Sequence, residues 1–307
     1  MSSTMIRLRI LFSLLVFPGA VCADETLCAG VNGVFSPDGA SIAFQRDAGD
    51  ATHLGVCDLA TKRITWVENG PGRAAFPAWA PDSTLVSSFG TRFHTAYETW
   101  QGNLSEGYGL RTWKGGARKV LTCARRYDYA PCVAPDGLTL YWVSTKGPAH
   151  KTAAVGDIGS GIWAGTLEDP ERGACIIRPA GACSGVGQPA VSPNGRELAW
   201  AQLSDFGSSS WRIYLAQAGD WSKAVPVSPS DMAAYAPAWS PDGMRLVFTG
   251  YRDGDPGWSI YLLDPAKGTV RRLLTGENAS FAPDGRRLVY DDGQVLRLHA
   301  LSLEDLK

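Results

Sequence analysis

One short phrase recurs six times along this chain: FSPDG at 35–39, WAPDS at 79–83, VAPDG at 133–137, VSPNG at 191–195, WSPDG at 239–243 and FAPDG at 281–285. A turn that returns about every forty residues marks a repeat architecture, in which each unit leaves an apolar face for the next unit to cover. Aligned on its proline, each copy has an apolar residue two positions before (Phe35, Trp79, Val133, Val191, Trp239, Phe281) and another five positions after (Ile42, Val86, Leu140, Leu198, Leu246, Leu288). Two positions further lie Phe44, Ser88, Trp142, Trp200, Phe248 and Tyr290. This pattern reads as apolar strand, Pro-Asp-Gly turn, alternating strand, which is a hairpin buried on both faces. Two strands alone expose too much apolar surface and two bare edges, so each hairpin must continue into further strands. In the fifth repeat WSIYLLD (258–264) and TVRRLLT (269–275), separated by a Pro265 to Gly268 turn, supply them. The proline spacings of 44, 54, 58, 48 and 42 residues leave no room for a hidden unit. The expected fold is all-β, a six-bladed β-propeller of four-stranded antiparallel blades.

The phrase in its setting resembles the WD40-like repeat of TolB-type propellers, most closely in the fifth repeat with PAWSPDG at 237–243, IYLLD at 260–264 and RRLLT at 271–275. The resemblance covers nearly all of the chain after its first residues and speaks to architecture more than to activity. TolB carries an additional N-terminal α/β domain. Here the first repeat begins within fifteen residues of the expected mature end, so that domain is expected to be absent and the full envelope role of that family is not simply carried over.

Residues 1–23 read as a secretory signal: Arg7 and Arg9, an apolar run from Ile10 to Phe17, then Val21-Cys22-Ala23 before the expected cut at Asp24. The run is too short to span a membrane. Acylation of Cys22 would require a small residue where Val21 stands, so a soluble periplasmic or secreted protein is expected, a single propeller domain over 24–307. Without the signal, 27 Lys and Arg face 30 Asp and Glu, and nothing favours nucleic acid as a partner. Six cysteines remain, an even number suited to disulfides after export. Cys123 with Cys132, and Cys175 with Cys183, bracket successive crossings between blades; Cys28 with Cys57 follows by elimination. The last repeat runs out of chain before a fourth strand. Residues 24–30 are therefore expected to supply it and close the ring.

In a propeller the Pro-Asp-Gly turns share one face, and the loops between second and third strands share the other with the crossings between blades. Two loops, Thr91 to Glu106 and Lys146 to Ser160, are long enough to suggest function. They offer Arg92, His94, Tyr97, Trp100 and His150, and the crossing between them adds Arg125, Arg126, Tyr127, Asp128 and Tyr129. Arg73, Phe76 and Tyr235 extend this arginine-aromatic rim around the channel mouth, a composition typical of interface anchors. The other tryptophans fall in strand register and are read as packing between blades.

His53, His94 and His150 occupy the same inter-strand loop of three successive repeats and are the candidates for a metal, although no fixed ligand spacing supports one. Propeller oligogalacturonate lyases use histidine-bound metal, which makes a saccharide- or peptide-processing enzyme the rival expectation. Gly181-Ala182-Cys183-Ser184-Gly185 has the outline of a nucleophile elbow but lies in a crossing without the strand-turn-helix it needs. There is no P-loop, H-E-x-x-H or C-x-x-C, and no catalytic residue or cofactor is assigned. The expectation is a monomeric, non-catalytic platform for a protein or another cell-envelope component.

Overall fold

The computed structural model describes residues 24–90, 108–122, 127–144, 160–179, 185–203, 211–302 and 304–305. In chain order its strands are β1 (Glu25–Ala29), β2 (Val31–Phe35), β3 (Ser41–Asp47), β4 (Thr52–Asp58), β5 (Ile64–Glu68), β6 (Arg73–Trp79), β7 (Leu85–Gly90), β8 (Tyr108–Lys114) and β9 (Ala117–Val120). Then follow β10 (Asp128–Val133), β11 (Thr139–Ser144), β12 (Gly161–Thr166), β13 (Ala174–Ile177), β14 (Gly185–Val191), β15 (Glu197–Leu203), β16 (Arg212–Gln217) and β17 (Val225–Pro226). The last are β18 (Met232–Trp239), β19 (Leu246–Arg252), β20 (Ser259–Asp264), β21 (Thr269–Thr275), β22 (Glu277–Phe281), β23 (Arg287–Asp291) and β24 (Val295–Ala300).

These strands form an all-β propeller of antiparallel four-stranded sheets. Four sheets stand alone: β10 to β13, β14 to β17, β18 to β21, and β22 to β24 joined by β1. The fifth contains eight strands, β2 to β9, and its two antiparallel meanders meet through one parallel pair, Thr52 with Arg73.

The repeated phrase builds one turn six times over. Its Asp or Asn side-chain Oδ1 accepts the backbone N–H two residues on, at 2.8–3.0 Å, in Asp38, Asp82, Asp136, Asn194, Asp242 and Asp284. That hydrogen bond is the reason Asp and Asn favour such turns. The next residue takes a left-handed conformation, φ 67–71° at the five glycines and 64° at Ser83, where a side chain is strained. Each turn also leans on the repeat before it. A Cβ on Gly137 would lie 3.9 Å from Pro81, and one on Gly39 of the first repeat 3.4 Å from Pro283 of the last.

The second strands carry the core. Ile42, Val86, Leu140, Leu198, Leu246 and Leu288 are all fully buried, and Phe44, Trp142, Trp200 and Phe248 nearly so. Each such side chain contributes about 1.5–3 kcal/mol when removed from water. Trp79 and Trp239 tie neighbouring repeats, their indole N–H groups donating to the Val34 and Ala190 carbonyls at 3.3 and 3.0 Å.

The N-terminal strand lies where the sequence places it. β1 pairs antiparallel with β24, Glu25 opposite Leu298 and Ala29 opposite Val295, and covers the outer edge of the last sheet. Asp24 holds its end, accepting from the Tyr290 hydroxyl and meeting His299 Nδ1 at 2.7 Å. Cys28 and Cys57 come together in one core cluster beside this strand, close enough for each thiol to affect the other's ionisation. Both are free thiols here, as are Cys132 and Cys175; the expected partners of the latter two, Cys123 and Cys183, lie outside the described residues.

Candidate binding surface

Five residues before each repeat proline, the innermost strand breaks its register with a bulge. Asn32, Phe76, Ala130, Gln188, Ala236 and Asn278 take φ of 47–54° there. None is glycine, and each left-handed residue costs about 1–2 kcal/mol. Hydrogen bonds across the seams between repeats offset part of that cost. The N–H groups of Asn32, Phe76, Ala236 and Asn278 donate to Asp291, Gln45, Gln188 and Thr249 at 2.8–3.0 Å. The bulges form a ring around the channel and divide it into a half toward the loops and a half toward the turns.

On the loop side, Arg73 begins β6 and donates to Thr52 Oγ1 and the Gly49 carbonyl, both at 3.3 Å. Phe76 and Tyr129 meet with ring centroids 5.9 Å apart. Arg73 and Phe76 also line a polar recess of about 740 Å³ with Gln45, Arg46, Asp47 and Gln294. Arg46 is exposed, its guanidinium 5.7 Å from the Trp66 ring centre. The recess therefore presents two cations and one carboxylate, a mixed polar surface rather than a single-sign site.

Across the mouth, the Tyr235 hydroxyl donates to Glu277. Burial, and then the Glu277 carboxylate, push its ionisation well above the usual tyrosine value. Beside Glu277 in the sheet, Asp291 is fully buried and accepts from the Asn32 and Gly293 N–H groups and from Asn278 Nδ2; burial raises its pKa. Trp258 packs edge-on against Tyr235 at 5.0 Å and tilts over Tyr251 at 5.6 Å. Trp258 and Tyr251 remain 38% and 39% exposed, which makes this cluster the conspicuous aromatic surface of the loop face among the described residues.

The rim expected from sequence is thus only partly assembled by the described residues. Arg73, Phe76, Tyr129 and Tyr235 stand around the mouth. Tyr127 and Asp128 do not: Tyr127 is 4% exposed and packs on Tyr108 at 5.8 Å, while Asp128 is 1% exposed and accepts from Ser144. Both are covered where the inner strand begins, Tyr127 by Tyr108 of β8 in the preceding repeat and Asp128 by Ser144 of β11 in its own sheet. Arg92, His94, Tyr97, Trp100, Arg125, Arg126 and His150 lie outside the described residues. His53 lies within β4, opposite Arg46 of β3, and not in the expected inter-strand loop; it sits against Trp66 at 5.7 Å, and no group of three or more potential metal ligands occurs among the described residues. Trp258 corrects the expectation for strand-register tryptophans. It stands one residue before β20, at the end of the sheet, and is 38% exposed among the described residues.

On the turn side, all six innermost strands line a second cavity of about 560 Å³. Its walls include Phe35, Trp79, Val133, Val191, Trp239 and Phe281, the residues two before each proline. Sequence analysis reads these as core and not as the wall of a cavity.

No family model matches the chain. A stretch of 124 residues, 36% of the chain, is 28% identical to Tol-Pal system protein TolB of Francisella tularensis subsp. holarctica and spans 28% of that relative's length. The TolB of the F. tularensis subsp. tularensis strain SCHU S4 is 27% identical over the same extent. Among solved structures, TolB from Acinetobacter baumannii superposes with a TM-score of 0.60 at 17% identity, covering 93% of this chain and 65% of its own. An oligogalacturonate lyase in complex with manganese gives 0.57 at 18% identity, covering 91% and 79%. A puromycin-hydrolyzing peptidase of Mycobacterium tuberculosis gives 0.58 at 16%, covering 92% and 46%. A TolB-type propeller fits both the sequence likeness and the fold, and the same fold is shared with a lyase and a peptidase.

Proposed function

We propose that this chain is an exported, non-catalytic binding platform for a protein or another cell-envelope component, working through the loop-face mouth of its channel. The observation that carries the reading is the pair Trp258 and Tyr251, large aromatic side chains left exposed, with Trp258 packed on the partly buried Tyr235. Rigid aromatic groups on a scaffold give contact area at small entropic loss, and such residues dominate binding energy where they are found. The TolB likeness supports a protein partner, since the curated relatives are named for the Tol-Pal system. The apolar run before Asp24 supports export to the periplasm. Among the described residues no helix is long and apolar enough to cross a membrane.

The scaffold is read as six four-stranded blades, with the eight-stranded sheet counted as β2 to β5 and β6 to β9. The single residue pair joining those halves, and the six repeats of one turn, support this count. Arg92, His94, Tyr97, Trp100, Arg125, Arg126 and His150 are proposed to extend the same rim. The test is crosslinking from single photoreactive residues placed on the loop face and on the turn face of the chain in its own envelope. Adducts from Trp258 or Tyr251 support the reading, and adducts confined to the turn face refute it. The rival enzyme reading rests on His53, His94 and His150. A stoichiometric transition metal that is lost in a His94→Ala, His150→Ala variant would favour it.

A further inference from the structure

The turn-side cavity is chemically unlike the loop-face surface. At about 560 Å³ it falls within the size of small-molecule sites, and none of its lining residues is charged. The innermost strand of each repeat is a sheet edge, which would ordinarily bare backbone N–H groups to the channel. Of the nine prolines that line the cavity, Pro77, Pro131, Pro189 and Pro237 lie within these strands, where they have no N–H to bare, and the other five lie in the turns. The wall is therefore apolar, aromatic and poor in backbone donors.

Where the cavity meets the ring of bulges, the polarity changes. Gln188 uses its amide oxygen to accept from the Ala236 N–H at 2.9 Å, and its amide nitrogen has no partner among the described residues. The Asn32 side-chain amide likewise makes no hydrogen bond among them, although its backbone N–H is held by Asp291. Both residues line the cavity and are only partly buried. An anionic ligand entering here would leave water for a site with no lining cation to meet it.

We infer that the turn-side half of the channel is a binding site for a small, uncharged, largely apolar molecule that carries one neutral hydrogen-bonding group. Its apolar body lies among Trp79, Trp239, Phe35 and Phe281, and its polar group faces the amides of Gln188 and Asn32. This site lies on the other side of the ring of bulges from the loop-face platform, with Phe76 lining both, and the inference does not depend on that platform.

The test uses N-phenyl-1-naphthylamine, an uncharged fluorescent probe, beside 8-anilinonaphthalene-1-sulfonate, which has the same ring skeleton and a negative charge. The uncharged probe is expected to bind one per chain, to quench tryptophan emission, and to bind at least about tenfold more tightly than the sulfonate. Val133→Trp with Val191→Trp places in the third and fourth repeats the residue that the second and fifth already carry, so the fold has room for it while the cavity shrinks. That variant is expected to lose probe affinity at least about tenfold with little change in melting temperature. Trp79→Phe with Trp239→Phe keeps the apolar wall and is expected to retain the probe but remove most of the quenching, a readout independent of how the filled variant folds. Val225→Ala, in the exposed outer strand β17, is expected to leave probe affinity and quenching unchanged. Absence of saturable probe binding, equal affinity for the sulfonate, undiminished binding in the folded cavity-filled variant, or undiminished quenching without Trp79 and Trp239 overturns the inference.

Discussion

Ser83 is the one residue that departs from glycine at the left-handed position of the repeated turn, φ 64° against 67–71° elsewhere. Ser83→Gly is expected to stabilise the chain by about 0.5–1 kcal/mol, measured by chemical denaturation, because relief of the left-handed conformation outweighs the entropy glycine adds to the unfolded chain. The turn aspartates make a second prediction. The Ser36 hydroxyl holds the Asp38 carboxyl below its usual range, and the Thr139 N–H does the same for Asp136. A carboxylate with a lowered folded-state pKa adds stability above its unfolded value of about 3.9, and that stability is lost as pH falls through the folded value. Asp38→Asn with Asp136→Asn, which copies the Asn194 of the fourth repeat, should therefore lessen the fall in melting temperature between neutral pH and about pH 3. An unchanged acid slope would show that these exposed turns do not contribute. At this scale the turn chemistry was fully legible in PDG, whereas Trp258 was not. Its spacing matched that of core tryptophans, and only the three-dimensional end of the sheet leaves it bare.

The first strand is the element on which ring closure depends. β1 belongs to the sheet of the last repeat, held there by β24 and by the side-chain contacts of Asp24 and Thr26. The missing fourth strand of the last repeat signalled this pairing, since an exposed edge must be covered. A Cys28 to Cys57 disulfide is proposed to lock it, formed when an oxidised disulfide such as glutathione disulfide takes up the two hydrogens and two electrons of the paired thiols. Peptide mapping of chain exposed to that oxidant is expected to recover Cys28 joined to Cys57. The bond should add about 3 kcal/mol, read as a melting temperature that falls further on reduction in the wild type than in Cys28→Ser. A melt unchanged by reduction in the wild type would contradict the lock. The ring of bulges, by contrast, was illegible beforehand. Its residues share a register but no residue type, and only the cross-repeat hydrogen bonds of Asp291, Gln45, Gln188 and Thr249 reveal why left-handed backbone persists there.

For the molecule as a whole, periodicity gave the architecture because each hairpin buries the same positions whatever its outer strands do. Leu140 and Leu246 are equally buried in repeats that otherwise differ in length and sequence. The faces followed less directly. Position along the repeat told which loops share a face, and Arg73 and Phe76 do line one recess, but Tyr127 and Asp128 were claimed by packing. Propellers host unrelated activities on one scaffold, so the account stands on the surface rather than on the fold.

Its central claim is that the loop face meets a partner. The most direct measurement is photocrosslinking in cells from p-benzoylphenylalanine at Trp258 or Tyr251, compared with the same group at Leu138 or Met244, which are 69% and 66% exposed on the turn face. The account predicts a discrete adduct with an envelope component from the loop-face positions and none from the turn-face positions. Adducts arising only from Leu138 or Met244, or from no position at all, would contradict it.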